Sequence, residues 1–212
     1  MLKKGILISV EGIDGSGKST LAKNLAAQLQ ARGLPVLLTK EPGGTHLGQQ
    51  LRTLLQERTV TIDPIAEFLL FAADRAQHFS QIVMPALAQN MVVISDRMAD
   101  SSLAYQGYGR ALDKDQITSI NIWAMQGKQP DLTIFCDVPI TVATERLRIR
   151  NLTLTSFEKE KTEFMERVLL GFNEIVKNRD NVLHIDGTKS QEDVAQTTYE
   201  TVLEWLTKNQ LL

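Results

Sequence analysis

The sequence contains one cysteine, Cys136, so a disulfide cannot form within a single chain. Its apolar surroundings, residues 132–136, are typical of a buried small side chain. No segment reaches roughly 18 consecutive apolar residues, so we expect no membrane-spanning helix and no membrane partner. The short apolar run 6–8 is followed too soon by Glu11 and Asp14 to be a signal peptide. We therefore expect a cytoplasmic protein.

The sequence also lacks an excess of charge of either sign. Lysine and arginine together number 23 and aspartate and glutamate 25, which gives a formal net charge of −2. A protein whose whole surface grips nucleic acid is therefore excluded, and any anion site must be local. The length of 212 residues and the 43% hydrophobic composition suit one soluble domain that spans residues 1–212.

Short apolar runs alternate with amphipathic stretches along the chain. The runs are rich in Val, Ile and Leu, as expected for parallel strands covered on both faces. Predicted strands are 6–10, 36–39, 91–95, 132–137 and 182–185, and predicted helices are 18–31, 47–56, 63–88, 113–125, 140–150, 158–177 and 191–208. This alternation predicts an α/β fold, a parallel sheet of five strands with helices on both faces, with ligands at the carboxyl ends of the strands.

A phosphate-binding loop follows the first predicted strand. Residues 12–19 fit the pattern G-x-x-x-x-G-K-[ST], between a strand and a helix as the motif requires. Its glycines let backbone amides turn towards phosphate oxygens, and the helix amino terminus adds positive potential. We expect Lys18 to reach the β- and γ-phosphates and Ser19 to ligate Mg²⁺. The motif therefore predicts the P-loop NTPase fold.

The loop alone does not distinguish kinases from GTPases and ATPase motors. A guanine-reading N-K-x-D after a strand is missing from the sequence. The strand 91–95 leads into Asp96 and Arg97, where many hydrolytic motors place a glutamate that activates water. An arginine at this position suits a second bound anion better than it suits hydrolysis.

Further segments, in order and spacing, resemble the thymidylate kinases. They are 11–19, 39–45, 71–75, 96–97, 105–107 and 129–132. The resemblance covers essentially the whole chain and implies the strand order 2-3-1-4-5, a homodimer, and phosphoryl transfer from ATP to dTMP with Mg²⁺. It also suggests that the Glu41–Pro42 peptide is cis. Two alternatives stay open, namely a kinase for another nucleoside monophosphate and a nucleotide-binding regulatory relative with weak turnover.

The resemblance also implies roles for individual residues. Lys18, Arg97, Arg150 and Arg146 are the catalytic candidates, and Ser19 and Asp96 would hold Mg²⁺, Asp96 through water. ATP would contact Gly12, Ile13, Asp14, Gly15, Ser16, Gly17, Lys18, Ser19, Thr20, Arg146 and Arg150. The acceptor would contact Asp14, Lys40, Pro42, Phe71, Arg75, Arg97, Ser101, Ser102, Tyr105 and Gln106.

Each of these roles has a plainer structural alternative. Phe71 and Arg75 lie four residues apart on one predicted helix face, where the resemblance implies thymine stacked on Phe71 and its O4 bound by Arg75. They could instead be a core Phe beside a solvated Arg. Asp14 could be a simple turn residue instead of a partner of the sugar 3′-hydroxyl. Tyr105 could be a core residue instead of the aromatic that excludes a ribose 2′-hydroxyl.

A mobile lid is expected at about residues 146–158, and here the sequence departs from the family. The phosphate loop carries no arginine, and Arg146, Arg148 and Arg150 resemble the lid arginines found in relatives of this kind. At helical spacing Arg146 and Arg150 share a face, whereas Arg148 points elsewhere. Ser156 stands where a further lid arginine is expected. Arg150 is the first candidate for the lid cation, and Arg146 supports it.

Overall fold

The computed structural model describes residues 2–57, 60–150, 155–158, 160 and 162–212. Five parallel strands form one sheet in the order β2-β3-β1-β4-β5. They are β1 Ile6–Glu11, β2 Val36–Lys40, β3 Val92–Asp96, β4 Leu132–Asp137 and β5 Val182–Asp186. The predicted strand order is confirmed, and each predicted strand end lies within one residue of the observed one.

Helices connect the strands. They are α1 Lys18–Ala31, α2 His46–Glu57, α3 Pro64–His78, α4 Met84–Ala88, α5 Ala99–Ser102, α6 Lys114–Ala124, α7 Ile140–Ile149, α8 Thr162–Val176 and α9 Gln191–Lys208. Within the described ranges, none of these helices has the length and apolar character needed to cross a bilayer.

Alternate residues of β1 pack against different helices, which places helices on both faces of the sheet. Ile6 and Ile8 belong to a buried cluster with residues of α1 and α9. Leu7 points the other way and packs in a second cluster with Phe79 and Val83. Full burial of each such side chain contributes about 1.5–3 kcal/mol to folding. The buried alternation confirms the α/β class.

The observed helices differ from the predicted ones at two π-helical segments. The predicted helix 63–88 is interrupted by Phe79–Val83, which joins α3 to α4. A second π-helical segment, Leu103–Gly109, continues α5, and no helix was predicted there. A Cβ at Gly109 would lie 2.6 Å from the Phe164 ring. Glycine at this position therefore lets the segment approach α8 more closely than a residue with a side chain could. The predicted helix 158–177 begins later, at Thr162.

Candidate active site

A cavity of about 1060 Å³ opens at the carboxyl edge of the sheet. It is lined by segments that follow β1, β2, β3 and β5, and by the end of α7. Parallel strands bring these segments to one edge, as expected for ligand sites in open α/β sheets. Nearly all of the predicted site residues line this cavity.

The phosphate loop runs from the end of β1 to the start of α1, and glycines set its path. Gly15 has φ +84°, and a Cβ there would lie 2.3 Å from the carbonyl oxygen of Ala143. Gly17, at the start of α1, has φ +95°, and no side chain caps the helix. Uncapped amides at a helix amino terminus suit a bound phosphate.

Gly12 and Ile13 are the predicted ATP contacts that do not line the cavity. The Ile13 side chain is buried in an apolar cluster that includes Tyr105 and Phe135. Its carbonyl oxygen accepts a hydrogen bond of 3.2 Å from Lys18 Nζ. These two residues therefore belong to the part of the loop that faces the protein interior and not the cavity.

Asp14, Lys18 and Arg97 form the charged centre of the site. Arg97 Nη2 donates to Asp14 Oδ1 at 2.6 Å, and Lys18 Nζ lies 3.5 Å from the same oxygen. Burial disfavours the charge of Asp14, but the two neighbouring cations outweigh it and hold its pKa well below the usual range. Tyr105 donates its hydroxyl to the other carboxylate oxygen at 3.1 Å.

Ser19 and Asp96 meet where α1 begins and β3 ends, and the Ser19 hydroxyl donates to Asp96 Oδ2. Asp96 Oδ1 is buried and has no hydrogen-bond partner among the described residues. Among all residues that the structure describes, no group of three or more His, Cys, Asp or Glu side chains could hold a metal ion. A hydroxyl and a carboxylate suit Mg²⁺, which takes most of its other ligands from water and substrate phosphates.

Arg75 is buried and also lines the cavity, and several elements fix its guanidinium. Nε donates to Glu41 at 2.8 Å, Nη1 to Ser102 at 3.0 Å and Asn121 at 2.6 Å, and Nη2 to the Met98 carbonyl at 3.0 Å. These contacts use four of the five N–H groups of an arginine. One N–H of Nη2 therefore has no partner among the described residues.

Aromatic side chains surround the space beside Arg75. The Phe71 ring centroid lies 5.7 Å from that of Phe157, and the Tyr105 centroid lies 6.1 Å from Phe157. Phe71 and Arg75 both line the cavity, so the alternative in which Arg75 is a solvated surface residue is wrong. These rings form an apolar wall of the cavity, and the Tyr105 hydroxyl connects this wall to Asp14 of the phosphate loop.

The remaining predicted acceptor contacts also line the cavity. Lys40 is exposed, whereas Pro42 is buried after a cis Glu41–Pro42 peptide, as the resemblance suggested. Gln106 donates to the buried carboxylate of Glu67 at 2.8 Å, so part of its amide is used within the protein.

The three arginines of the expected lid have different surroundings. Arg146 contacts the phosphate loop, donating to the Ser16 carbonyl at 3.3 Å and also to the Gly187 carbonyl at 2.8 Å. Arg150 lines the cavity and pairs with Glu158 at 2.8 Å. Arg148 pairs with Glu145 and does not line the cavity. Of the three arginines, Arg146 and Arg150 line the cavity.

Ser156 caps the end of α2. Its hydroxyl donates to the Leu55 carbonyl at 2.9 Å, and its backbone N–H donates to the Gln56 carbonyl at 3.2 Å. The part of the expected lid at 151–154 lies outside the described residues. At Ser156 the chain therefore has a helix-capping contact where its relatives are expected to have a cation.

Four buried or lining residues were not singled out by sequence reasoning. Glu11 and Glu41 both stand inside the quoted motifs, and both carry hydrogen bonds that hold site arginines or their neighbours. Phe157 lines the cavity beside Phe71 and follows Ser156 directly in the sequence. Asn121 lies in α6 and contacts Arg75, and nothing in the local sequence signals that role.

Comparison with known proteins agrees with this geometry. The family model described as thymidylate kinase matches residues 10–198. A thymidylate kinase of Halothermothrix orenii is 39% identical over 97% of this chain and 100% of its own length. Those of Desulfovibrio desulfuricans and Kosmotoga olearia are 42% and 40% identical, over 89% and 96% of this chain and 91% and 98% of theirs. The chain belongs to the thymidylate kinase family.

Proposed function

We propose that this protein transfers the γ-phosphate of ATP to dTMP, giving dTDP and ADP. The observation that carries the proposal is one cavity that is lined both by the phosphate loop and by Phe71 and Arg75. Arg97 lines the same cavity and contacts Asp14 of the loop. This arrangement suits two phosphates that face each other across a short gap, as direct transfer requires.

The cations of the site suit the charge that develops during transfer. Lys18 would contact the donor phosphates, and Arg97 would clamp the acceptor phosphate with its guanidinium fork. Ser19 and Asp96 would hold Mg²⁺, Asp96 through water. When bound, this ion would neutralise the phosphate oxygens and help to orient them. Fixed cations at the reacting oxygens lower the barrier because they need no reorganisation.

Acceptor recognition would depend on the Arg75 Nη2 N–H that has no partner among the described residues. Thymine presents O4 as a hydrogen-bond acceptor for this N–H. A base with an amino group at the same position would place two donors against each other and leave both unpaired, which is costly in a buried site. One fixed donor therefore favours thymine over such a base. Phe71 would stack on the ring, and Asp14 would accept from the sugar 3′-hydroxyl. Tyr105, which is 5% exposed and bonded to Asp14, would occupy the space of a 2′-hydroxyl.

The segment 146–158 would act as a lid on the single domain 1–212. Arg146 already contacts the phosphate loop, and Arg150 lies on the same helix face. We expect both to approach the transferred phosphoryl group when ATP is bound. Closure of such a segment completes a site and excludes water from the reaction.

We also propose a homodimer. Helix α3 contacts both α2 and α6, and all three helices expose large apolar side chains. These include Leu47, Leu54, Ile65, Leu69 and Trp123, and Trp123 is 82% exposed. Exposed apolar clusters of this kind mark association surfaces. Sedimentation should give twice the chain mass for the native protein, and a monomer for Trp123→Glu with Leu69→Glu. A monomeric native protein would contradict this proposal.

Because ATP and dTMP are cytoplasmic metabolites, we place the enzyme in the cytoplasm.

Steady-state assays with ATP and Mg²⁺ test the function directly. The proposal expects the highest kcat/KM with dTMP among dTMP, dCMP, dGMP and dAMP. Preference for another nucleotide would indicate a different nucleoside monophosphate kinase. Binding of ATP and dTMP without turnover would indicate a regulatory relative. Lys18→Ala provides the matched control, because it should remove any turnover that belongs to this site.

A further inference from the structure

Glu11, the last residue of β1, is a fully buried carboxylate beside the phosphate loop. Its Oε1 accepts from Ser9 Oγ and from the Met98 backbone N–H, each at 2.7 Å. Its Oε2 accepts from Ser101 Oγ at 2.6 Å. Burial, with the nearby charge of Asp100, raises the pKa of Glu11 to about 7. The hydrogen bonds from Ser101 and Ser9 and the positive charge of Arg97 act in the opposite direction and favour the ionised carboxylate. The roles described so far do not use this carboxylate.

Ser101 connects Glu11 to the acceptor-phosphate arginine. A serine hydroxyl has one proton to donate, and Glu11 takes it. The oxygen of Ser101 then accepts a hydrogen bond of 2.9 Å from Arg97 Nη1. If the Ser101 hydroxyl were reversed, its proton would point at the Arg97 guanidinium, which has donors only and could not accept it. The carboxylate of Glu11 therefore sets the polarity of this chain of hydrogen bonds.

Glu11 also fastens the backbone that carries Arg97. Arg97 has φ +74°, a left-handed conformation that L side chains rarely adopt. Its own N–H donates to the Val10 carbonyl at 3.0 Å, and its carbonyl accepts from Ser95 Oγ at 2.8 Å. The next N–H, that of Met98, is the one bound by Glu11. One carboxylate thus holds both the backbone turn and the side-chain direction of Arg97.

We propose that Glu11 is a positioning residue for Arg97 and aligns its guanidinium with the phosphate of the acceptor nucleotide. The inference rests on the proposed role of Arg97 in binding that phosphate. Glu11 does not touch the substrate and acts through Ser101 and the Met98 peptide. Its loss should therefore weaken recognition of the phosphate and leave recognition of the nucleoside unchanged.

Calorimetry with dTMP and with thymidine separates these two effects, because thymidine lacks the phosphate. Glu11→Gln keeps the shape of the side chain but removes its charge and one acceptor oxygen. We expect dTMP affinity to fall about tenfold, equivalent to about one charged hydrogen bond, with thymidine affinity unchanged. Ser9→Ala is the matched control, since Ser9 also donates to Glu11 but does not lead to Arg97. It should change the ratio of the two affinities less than about twofold.

A double-mutant cycle adds an independent readout. If Glu11 acts through Ser101, Glu11→Gln and Ser101→Ala together should cost clearly less than the sum of their separate effects on dTMP affinity. Should Glu11→Gln fail to fold, Glu11→Asp, which keeps the charge but shortens the side chain, should lower the same dTMP-to-thymidine affinity ratio. An unchanged ratio in either variant, or additive effects, would overturn the inference. Native protein that binds no dTMP would instead overturn the proposed function.

Discussion

Arg97 Nη2 donates a hydrogen bond of 2.6 Å to Asp14 Oδ1, the same oxygen that lies 3.5 Å from Lys18 Nζ. One carboxylate atom thus joins the cation expected to bind the donor phosphates to the cation expected to bind the acceptor phosphate. Without such a partner, two buried cations would repel each other. We expect incoming phosphates to take over part of the charge compensation that Asp14 provides.

Lys18→Ala should lower kcat by at least about 10²-fold, because it removes a cation from oxygens that gain charge in the transition state. The described contacts of Lys18 are with the phosphate loop itself, so the fold should survive. Steady-state kinetics and thermal unfolding together check this. Lys177→Ala removes a surface lysine and should leave kcat unchanged. Unaltered turnover in Lys18→Ala would refute the assignment of the phosphate loop.

Arg146→Ala and Arg150→Ala should each lower kcat and kcat/KM together by at least about tenfold, with little change in dTMP binding. The reason is that a lid cation acts mainly when the phosphoryl group is in transit. Arg148→Ala is the matched control, because Arg148 lies on the same helix but pairs with Glu145 at the surface. If both cavity-lining arginines can be replaced without loss, lid arginines do not contribute to catalysis here.

Arg75→Lys should lower kcat/KM for dTMP by about 5- to 150-fold, equivalent to 1–3 kcal/mol, because a lysine cannot reproduce the fixed guanidinium fork. Lysine keeps a positive charge beside the buried Glu41, which limits the loss of stability. The preference for dTMP over dCMP should shrink in the same variant, as measured in competition assays. A full loss for dTMP with an equal loss for dCMP would show that Arg75 is structural only.

Asp74→Asn tests a buried carboxylate that accepts a hydrogen bond of 3.0 Å from the Gly43 backbone N–H. Burial, with the charge of Glu41, raises the pKa of Asp74 to about 6. The folded state thus keeps this proton to a higher pH than the unfolded state, whose aspartates titrate near about 3.9. Stability contributed by Asp74 should therefore fall as pH rises from about 4 to 6, by about 2 kcal/mol.

Asp74→Asn should flatten this dependence, since Asn cannot ionise. Urea unfolding at several pH values between 4 and 8 measures the difference. Asp180→Asn removes an exposed carboxylate and should keep the native profile. Profiles that are parallel for the native protein and Asp74→Asn would show that Asp74 does not hold its proton in the folded state.

Local sequence signals predicted all five strands and most helices to within one residue at each end, but they did not predict the two π-helical segments. Asp63 accepts from the Ile65 N–H at the start of α3, and Ser190 accepts from the Asp193 N–H at the start of α9, both as expected for helix caps. Capping and hydrophobic periodicity depend on residues a few positions apart, so one sequence contains them. The strand order came from the resemblance, since apolar runs alone do not specify which strands pair.

The sequence by itself determined the α/β class, the phosphate loop and the residues that meet at the sheet edge. Only the tertiary structure decided how their charges are shared. Met98 and Ser101 reach Glu11 across 87 and 90 positions, and Asn121 reaches Arg75 across 46. A buried ion is stable only among groups that close around it in three dimensions. Those partners leave no periodic trace along the chain, so they could be found only in the folded molecule.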